Sequence, residues 1–249
     1  MIAIQNIHKS FDRKSVLQGA SLTIETGASH IIIGRSGCGK SVLLKHIIGL
    51  LQPDQGQIVI DGKAIVGISK NELYAIRRRI GMLFQNAALF DSLTVEANIA
   101  LGVREHRLYS EPDIRKKVAE KLEMVGLPGI EPMSPAELSG GMRKRVGLAR
   151  ALMMEPDYIL YDEPTTGLDP IMADVINRLI LRIQETTGVT SIIVTHDMVS
   201  AYMVGNAMSM LHDGRVIFTG TPDDIRSSQN PLVQQFISGD SAVEPVSEK

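Results

Sequence analysis

Cysteine is nearly missing from this chain: Cys38 is the one thiol in 249 residues, and tryptophan does not occur. No intrachain disulfide can form, and a reducing compartment is the expected setting. Without such a staple the fold must rest on packing, and a chain of this length can bury a sizeable core. Long apolar runs are missing too. Ile31-Ile32-Ile33 and Ser191-Ile192-Ile193-Val194 are strand-sized, well short of the roughly 20 apolar residues of a membrane helix. The opening, MIAIQNIHKSFDRK, lacks the apolar stretch and cleavage site of a secretory signal. A soluble chain is expected, with any membrane role supplied by a partner. Charge of one sign is also scarce. The formal net charge is -2, which argues against a surface built to grip nucleic acid. Internal repeats, low-complexity segments and extended heptads are absent.

What is present alternates in period. Ile2–Ile7, Val16–Ile24, Ser29–Ile33, Gln57–Ile60 and Ile80–Phe84 read as strands. Asp61-Gly62 and Asp213-Gly214 read as hairpin turns, the latter between Ala207–Leu211 and Arg215–Thr219. Ser41–Ile48 is helical with Gly49 as its stop, and Ser69 with Glu72 forms a capping box opening a helix through Arg78. From about Asn86 to Met154 the chain reads as mostly helical. Ile114, Val118, Leu122 and Val125 recur at helical spacing behind a Ser110 cap. From Tyr158 onward strands (Tyr158–Tyr161, Ser191–Val194) alternate with helices (Ala173–Glu185, Met198–Val204), which implies a parallel sheet covered by helices. The expected fold is α/β with an inserted helical lobe. Gly239 to Lys249 is polar and expected to be loose.

The strongest local motif is Gly34-Arg35-Ser36-Gly37-Cys38-Gly39-Lys40-Ser41, which matches G-x-x-x-x-G-K-[ST] between a strand and a helix. Its glycines let backbone N–H groups turn inward around phosphate oxygens, and the following helix points its positive end there. Lys40 would reach the terminal phosphates and Ser41 would ligate Mg²⁺. Cys38 reads as a small filler.

Tyr158–Tyr161 ends in Asp162 and Glu163. Carboxylates at the end of a parallel strand lie where ligands bind. Asp162 would hold Mg²⁺ through water, and Glu163 would polarise the attacking water as general base. His196, after the next strand, could hydrogen-bond a γ-phosphate oxygen. Gln85, after Ile80–Phe84, could touch Mg²⁺ or the water. Leu138-Ser139-Gly140-Gly141-Met142 opens a second helix able to bind an anion: Ser139 can cap it, and Gly140 and Gly141 expose N–H groups. One nucleotide has no obvious need of two such cradles, so the second makes sense if it serves another subunit.

In this order and over most of its length the chain resembles the ABC transporter ATPases. Gly34–Ser41 is similar to their Walker A motif, and Tyr158–Glu163 to Walker B with its catalytic glutamate. Leu138–Met142 resembles the signature, Thr166–Asp169 the D-loop, Gln85 the Q-loop glutamine and His196 the switch histidine. Phe11 sits where an aromatic stacks on adenine. The resemblance implies a P-loop NTPase core with a mainly parallel sheet and an antiparallel β subdomain (residues 1–85 and 155–225), a helical lobe (86–154) and a tail (226–249). It also implies a homodimer holding two ATP between Walker A of one copy and the signature of the other, with Asp169 at the interface. Met142 departs from the usual glutamine, so Ser139 and the glycine N–H groups would carry the phosphate contacts. The apolar Asn86–Phe90 loop suits a groove that receives a permease coupling helix. Ser41–Leu50, Asn86–Phe90, Leu138–Arg145 and Pro231–Gly239 resemble the ATPases of Mla-type phospholipid transporters, which work with an MCE-domain protein. The implied location is the cytoplasmic face of a bacterial inner membrane. A small-solute importer ATPase and, more remotely, a soluble ABC ATPase of DNA repair, chromosome organisation or translation are the alternatives. The basic runs Arg77–Arg79 and Arg143–Arg145 read as solvated helix faces, or as headgroup contacts.

Overall fold

The computed structural model describes residues 1–12 and 14–240. The tail expected to be loose therefore lies largely outside the described residues. Two sheets form the frame. The first is antiparallel and ordered β2-β1-β4-β5, from β1 (Ile2–Phe11), β2 (Lys14–Ile24), β4 (Gln55–Ile60) and β5 (Lys63–Ala64). Its inward positions follow the alternation of the sequence, as Ala20, Leu22 and Ile24 in β2 show.

The second sheet runs β10-β9-β3-β8-β7-β6. It contains β3 (Ser29–Ile33), β6 (Ile80–Leu83), β7 (Tyr158–Asp162), β8 (Thr190–Thr195), β9 (Ala207–His212) and β10 (Arg215–Gly220). All neighbours are parallel except β9 and β10, which form the expected hairpin. Every residue of β3, β7 and β8 is buried, which explains their near-continuous apolar runs. Ile32, Leu160, Ile192 and Val194 point to one face. There they pack with the antiparallel sheet, α1 (Lys40–Ile47) and α2 (Lys70–Arg77). Ile31, Ile33, Ile159, Tyr161 and Ile193 point to the other. That face carries α3 (Val95–Glu105), α4 (Glu111–Met124), α5 (Gly140–Leu152), α6 (Pro170–Thr187) and α7 (Met198–Val204).

The helix caps are local chemistry. Ser69 and Glu72 form the capping box of α2, and Ser110 accepts from Asp113 N at the start of α4. α1 ends at Ile47 with Ile48 as its cap, one residue earlier than the sequence suggests. β1, β2 and β4 run longer at their exposed ends than their apolar cores do, as β1 does through Phe11, whereas β6 stops at Leu83, one residue short of the sequence reading. Apolar periodicity marks burial, whereas ladder hydrogen bonds continue past it. After β10, α8 (Pro222–Arg226) precedes α9 (Pro231–Ser238), whose Val233 is buried in the same cluster as the helices above.

Candidate nucleotide site

The register of the second sheet brings four loops to one edge. Ile33 pairs with Thr195, Asp162 with Val194 and Leu83 with Tyr161. The carboxyl ends of β3, β8, β7 and β6 therefore carry Gly34–Ser41, His196, Glu163 and Gln85 side by side. Ligands bind at this edge of a parallel sheet. A cavity of about 480 Å³ opens there, lined among others by Phe11, Lys40, Ser41, Gln85, Glu163 and His196.

The Gly34–Ser41 loop wraps back on itself. The buried Lys40 ammonium donates to Gly34 O at 2.8 Å and Arg35 O at 3.2 Å. It lies 3.5 Å from Glu163 Oε1. Gly34 is required by close approach: a Cβ there would collide with the Leu211 carbonyl and come within 2.7 Å of Cys38 Sγ. Ser36, Gly37 and Gly39 line the cavity. Arg35 and Cys38 border a neighbouring one instead. Burial pushes the Cys38 thiol above its ordinary pKa, with Lys40 pulling the other way. A raised pKa disfavours the reactive thiolate and suits a filler.

Ser41 Oγ donates to Asp162 Oδ1 at 2.6 Å, although the two residues lie far apart in the chain. Hydroxyl, carboxylate and the Gln85 amide are hard oxygen donors of the kind Mg²⁺ takes beside phosphates. Glu163 holds a left-handed backbone, φ 50°. Its carboxylate accepts from His196 Nδ1 at 2.9 Å and from Thr166 Oγ1 at 3.1 Å. Its N–H donates to Val194 O at 3.0 Å.

Three supports are not legible in the sequence as site residues. Lys144, from α5, is only 6% exposed and donates to Glu163 O at 3.1 Å. Burial lowers its pKa, while Glu163 and Asp162 oppose that shift. The reading of Arg143–Arg145 as one solvated or headgroup-facing surface is therefore corrected. Arg143 is exposed, Lys144 is inside, and Arg145 donates to the Val125 and Gly126 carbonyls that close α4. Second, Ser200 links Asp197 (2.5 Å) to Asn177 (2.8 Å) behind the His196 loop. Third, Arg150 donates to the Ala87 and Ala88 carbonyls in the loop after Gln85.

Ser139, Gly140 and Gly141 do not line this cavity. Ser139 caps α5, accepting from Met142 N at 3.3 Å, and Gly140 borders a separate groove shared with Gln85 and Thr166. Met142 packs against the helical core cluster. Asp169 caps α6, accepting from Ile171 N and Met172 N at 3.0 Å each. The strongly exposed Ile171 and Val199, 76% and 77%, sit at the first turns of α6 and α7. Elsewhere a largely apolar groove of about 670 Å³ runs between core and lobe, lined by Leu50, Phe84, Phe90, Leu101 and Arg150 among others. Leu89 packs on the core cluster while Phe90 is exposed.

A G-x-x-x-x-G-K-S loop between a strand and a helix, a strand-end carboxylate pair and a second glycine-led helix start on a two-sheet α/β frame are the features of an ATP-binding cassette. The chain belongs to the ABC transporter family, whose family model matches residues 17–166. It is similar, at 44% identity over 96% of its length, to the "Probable ribonucleotide transport ATP-binding protein mkl" of Mycobacterium tuberculosis. It spans 66% of that longer relative. It is 42% identical, over 97% of its length and 91% of the relative's, to the "Intermembrane phospholipid transport system ATP-binding protein MlaF" of Haemophilus influenzae. Among solved structures it resembles the MJ0796 cassette, a dimer in a post-hydrolysis state bound to ADP and Pi. The TM-score is 0.82 at 33% identity, covering 89% of this chain and 98% of that one. Among the described residues no helix is long and apolar enough to cross a membrane.

Proposed function

We propose that this chain binds and hydrolyses Mg²⁺·ATP as one half of a homodimer and powers transport of a lipid, a phospholipid by its resemblance to MlaF, through a separate membrane permease. An MCE-domain protein is the further partner, and the cytoplasmic face of a bacterial inner membrane is the location. The observation that carries the reading is the convergence of Lys40, Ser41, Gln85, Asp162, Glu163 and His196 on one sheet edge.

In this reading the N–H groups of Gly34–Ser41 and the Lys40 ammonium bind the phosphates, and Phe11 stacks on the adenine. Ser41, Asp162 and Gln85 hold Mg²⁺, which would neutralise charge on the phosphates. Glu163 takes a proton from the attacking water, and His196 steadies the γ-phosphate. Ser139, Gly140 and Gly141 serve the nucleotide of the other copy; none of the three lines this chain's own nucleotide cavity. Asp169, Ile171 and Val199 would lie against that copy. Residues 86–154 act as the lobe, residues 1–85 and 155–225 as the core, and residues 226–249 as the tail. The apolar groove would take the coupling helix of the permease.

The MlaF resemblance supports phospholipid as cargo. A second reading, transport of a small polar solute, draws on the printed name of the mkl relative. The test is affinity purification of the tagged chain from native membranes in mild detergent. A permease with an MCE-domain protein and bound phospholipid is the expected result. A permease with a solute-binding protein would favour the second reading. Soluble partners alone would overturn membrane coupling.

A further inference from the structure

Gln85 borders the nucleotide cavity, yet among the described residues no hydrogen bond from its own side chain holds the loop that carries it. That loop is unusual. Ala87 N–H donates to Phe84 O at 2.8 Å, closing a tight turn around Gln85 and Asn86. The next step is two consecutive left-handed residues, Ala87 (φ 60°) and Ala88 (φ 48°). Neither is glycine, so both conformations are disfavoured by their Cβ atoms and persist only when the surroundings enforce them.

The enforcement comes from α5. Arg150 Nη2 donates to Ala87 O at 2.6 Å, and Nη1 donates to Ala88 O at 2.7 Å. A planar guanidinium fork matches two neighbouring carbonyls in a way that a single ammonium cannot. Burial lowers the pKa of Arg150, and no charged neighbour opposes that shift. The cation is spent on the two carbonyls rather than on a carboxylate. One turn earlier in α5, Gly147 permits the approach: a Cβ there would come within 3.1 Å of the Ala87 Cβ and 3.0 Å of Leu83. The buried Asn98 of α3 pins the far end of the loop, accepting from Phe90 N at 2.8 Å and donating to Phe90 O at 3.0 Å.

Arg150 also lines the large apolar groove. It therefore touches both the groove and the segment that positions Gln85. The geometry points to Arg150 as a positioning residue for Gln85: its fork fixes the left-handed Ala87-Ala88 step and so sets the Gln85 amide toward the nucleotide. This rests on the assignment of Gln85 to the ATP reaction and not on what occupies the groove.

The test is steady-state ATP turnover of the purified full chain as a double-mutant cycle over Gln85→Ala and Arg150→Lys, with Mg²⁺ and ATP varied and melting followed alongside. Arg150→Lys keeps the aliphatic stem and positive charge but loses the fork. It is expected to lower kcat by about tenfold with KM for ATP changed by less than about twofold. On the Gln85→Ala background it should cost little more, because residues acting as a unit are non-additive. Ala88→Gly, which adopts positive φ without help, is expected to restore at least about threefold of the lost kcat in Arg150→Lys. Equal fold-losses on both backgrounds, no rescue by Ala88→Gly, or a lower melting temperature at unchanged kcat would each overturn the proposal. Wild-type turnover by Gln85→Ala alone would remove the Gln85 assignment and the tether with it. If Arg150→Lys does not fold, Ala88→Val in the wild-type background decides, because a β-branched residue disfavours the left-handed step that the fork holds: a kcat loss absent on the Gln85→Ala background supports the tether, and unchanged kcat overturns it.

Discussion

The Lys144 ammonium donates to the backbone carbonyl of Glu163 at 3.1 Å, joining the helix that begins at the signature-like Ser139 to the left-handed residue proposed as the base. A left-handed glutamate needs its surroundings to hold it. Lys144 supplies part of that hold from another element, Val194 O accepts from the Glu163 N–H, and His196 and Thr166 fix the carboxylate.

Lys144→Met is therefore expected to lower kcat by about tenfold while KM for ATP moves less than about twofold. Stability should not fall in step, because an apolar side chain removes a desolvated ammonium from the interior. Steady-state ATPase assays beside thermal melts check both halves. Unchanged kcat would show that the contact has no bearing on the base.

Glu163→Gln keeps the shape and the hydrogen-bonding reach of the side chain but cannot accept a proton. It should bind ATP, lose turnover and accumulate as an ATP-held dimer in size-exclusion chromatography. Lys40→Ala should instead weaken nucleotide binding in a direct titration. Normal turnover by Glu163→Gln would sink the proposed base.

Buried His30 contacts Ser209 Oγ at 2.9 Å, and Ser209 contacts Thr219 at 2.8 Å. Burial lowers its pKa from 6.5 to about 4. Between those values the unfolded chain takes up a proton that the folded chain refuses. Its contribution is thus constant above pH 6.5 and is lost as pH falls toward about 4. The full loss is at most about 3 kcal/mol. Urea unfolding of wild type and His30→Gln at several pH values should show a flatter slope for the variant across that window. Identical slopes would refute the assignment.

Leu50 and Leu101 line the apolar groove and are exposed. Leu50→Glu and Leu101→Glu put charge where an apolar helix would dock. Co-purification of a membrane partner should drop sharply, with ATP turnover of the isolated chain kept near wild type. Full recovery of the partner by both variants would move the docking surface elsewhere.

Motifs that depend on spacing along the chain are legible in the sequence. The Gly34–Ser41 loop, the capping box at Ser69 and the cap at Ser110 need only neighbours a few residues away. The apolar runs of β3, β7 and β8 announce strands buried on both faces. The basic run Arg143–Arg145 misleads for an equally physical reason. Successive helical residues point about 100° apart, so three consecutive cations cannot share one surface, and only packing decides which goes inside.

The sequence by itself determined the α/β class, the glycine-rich Gly34–Ser41 loop and the order of the carboxylate, glutamine and histidine loops, because backbone conformation and local capping are written in short segments. Tertiary structure alone decided that Ser41 meets Asp162, that Lys144 holds Glu163, and that Arg150 reaches the carbonyls beyond Gln85. Those contacts join residues up to 121 positions apart. They follow from the β3-β8-β7-β6 order and from the seating of α5 on β6, which the hydrophobic pattern of any one segment does not specify.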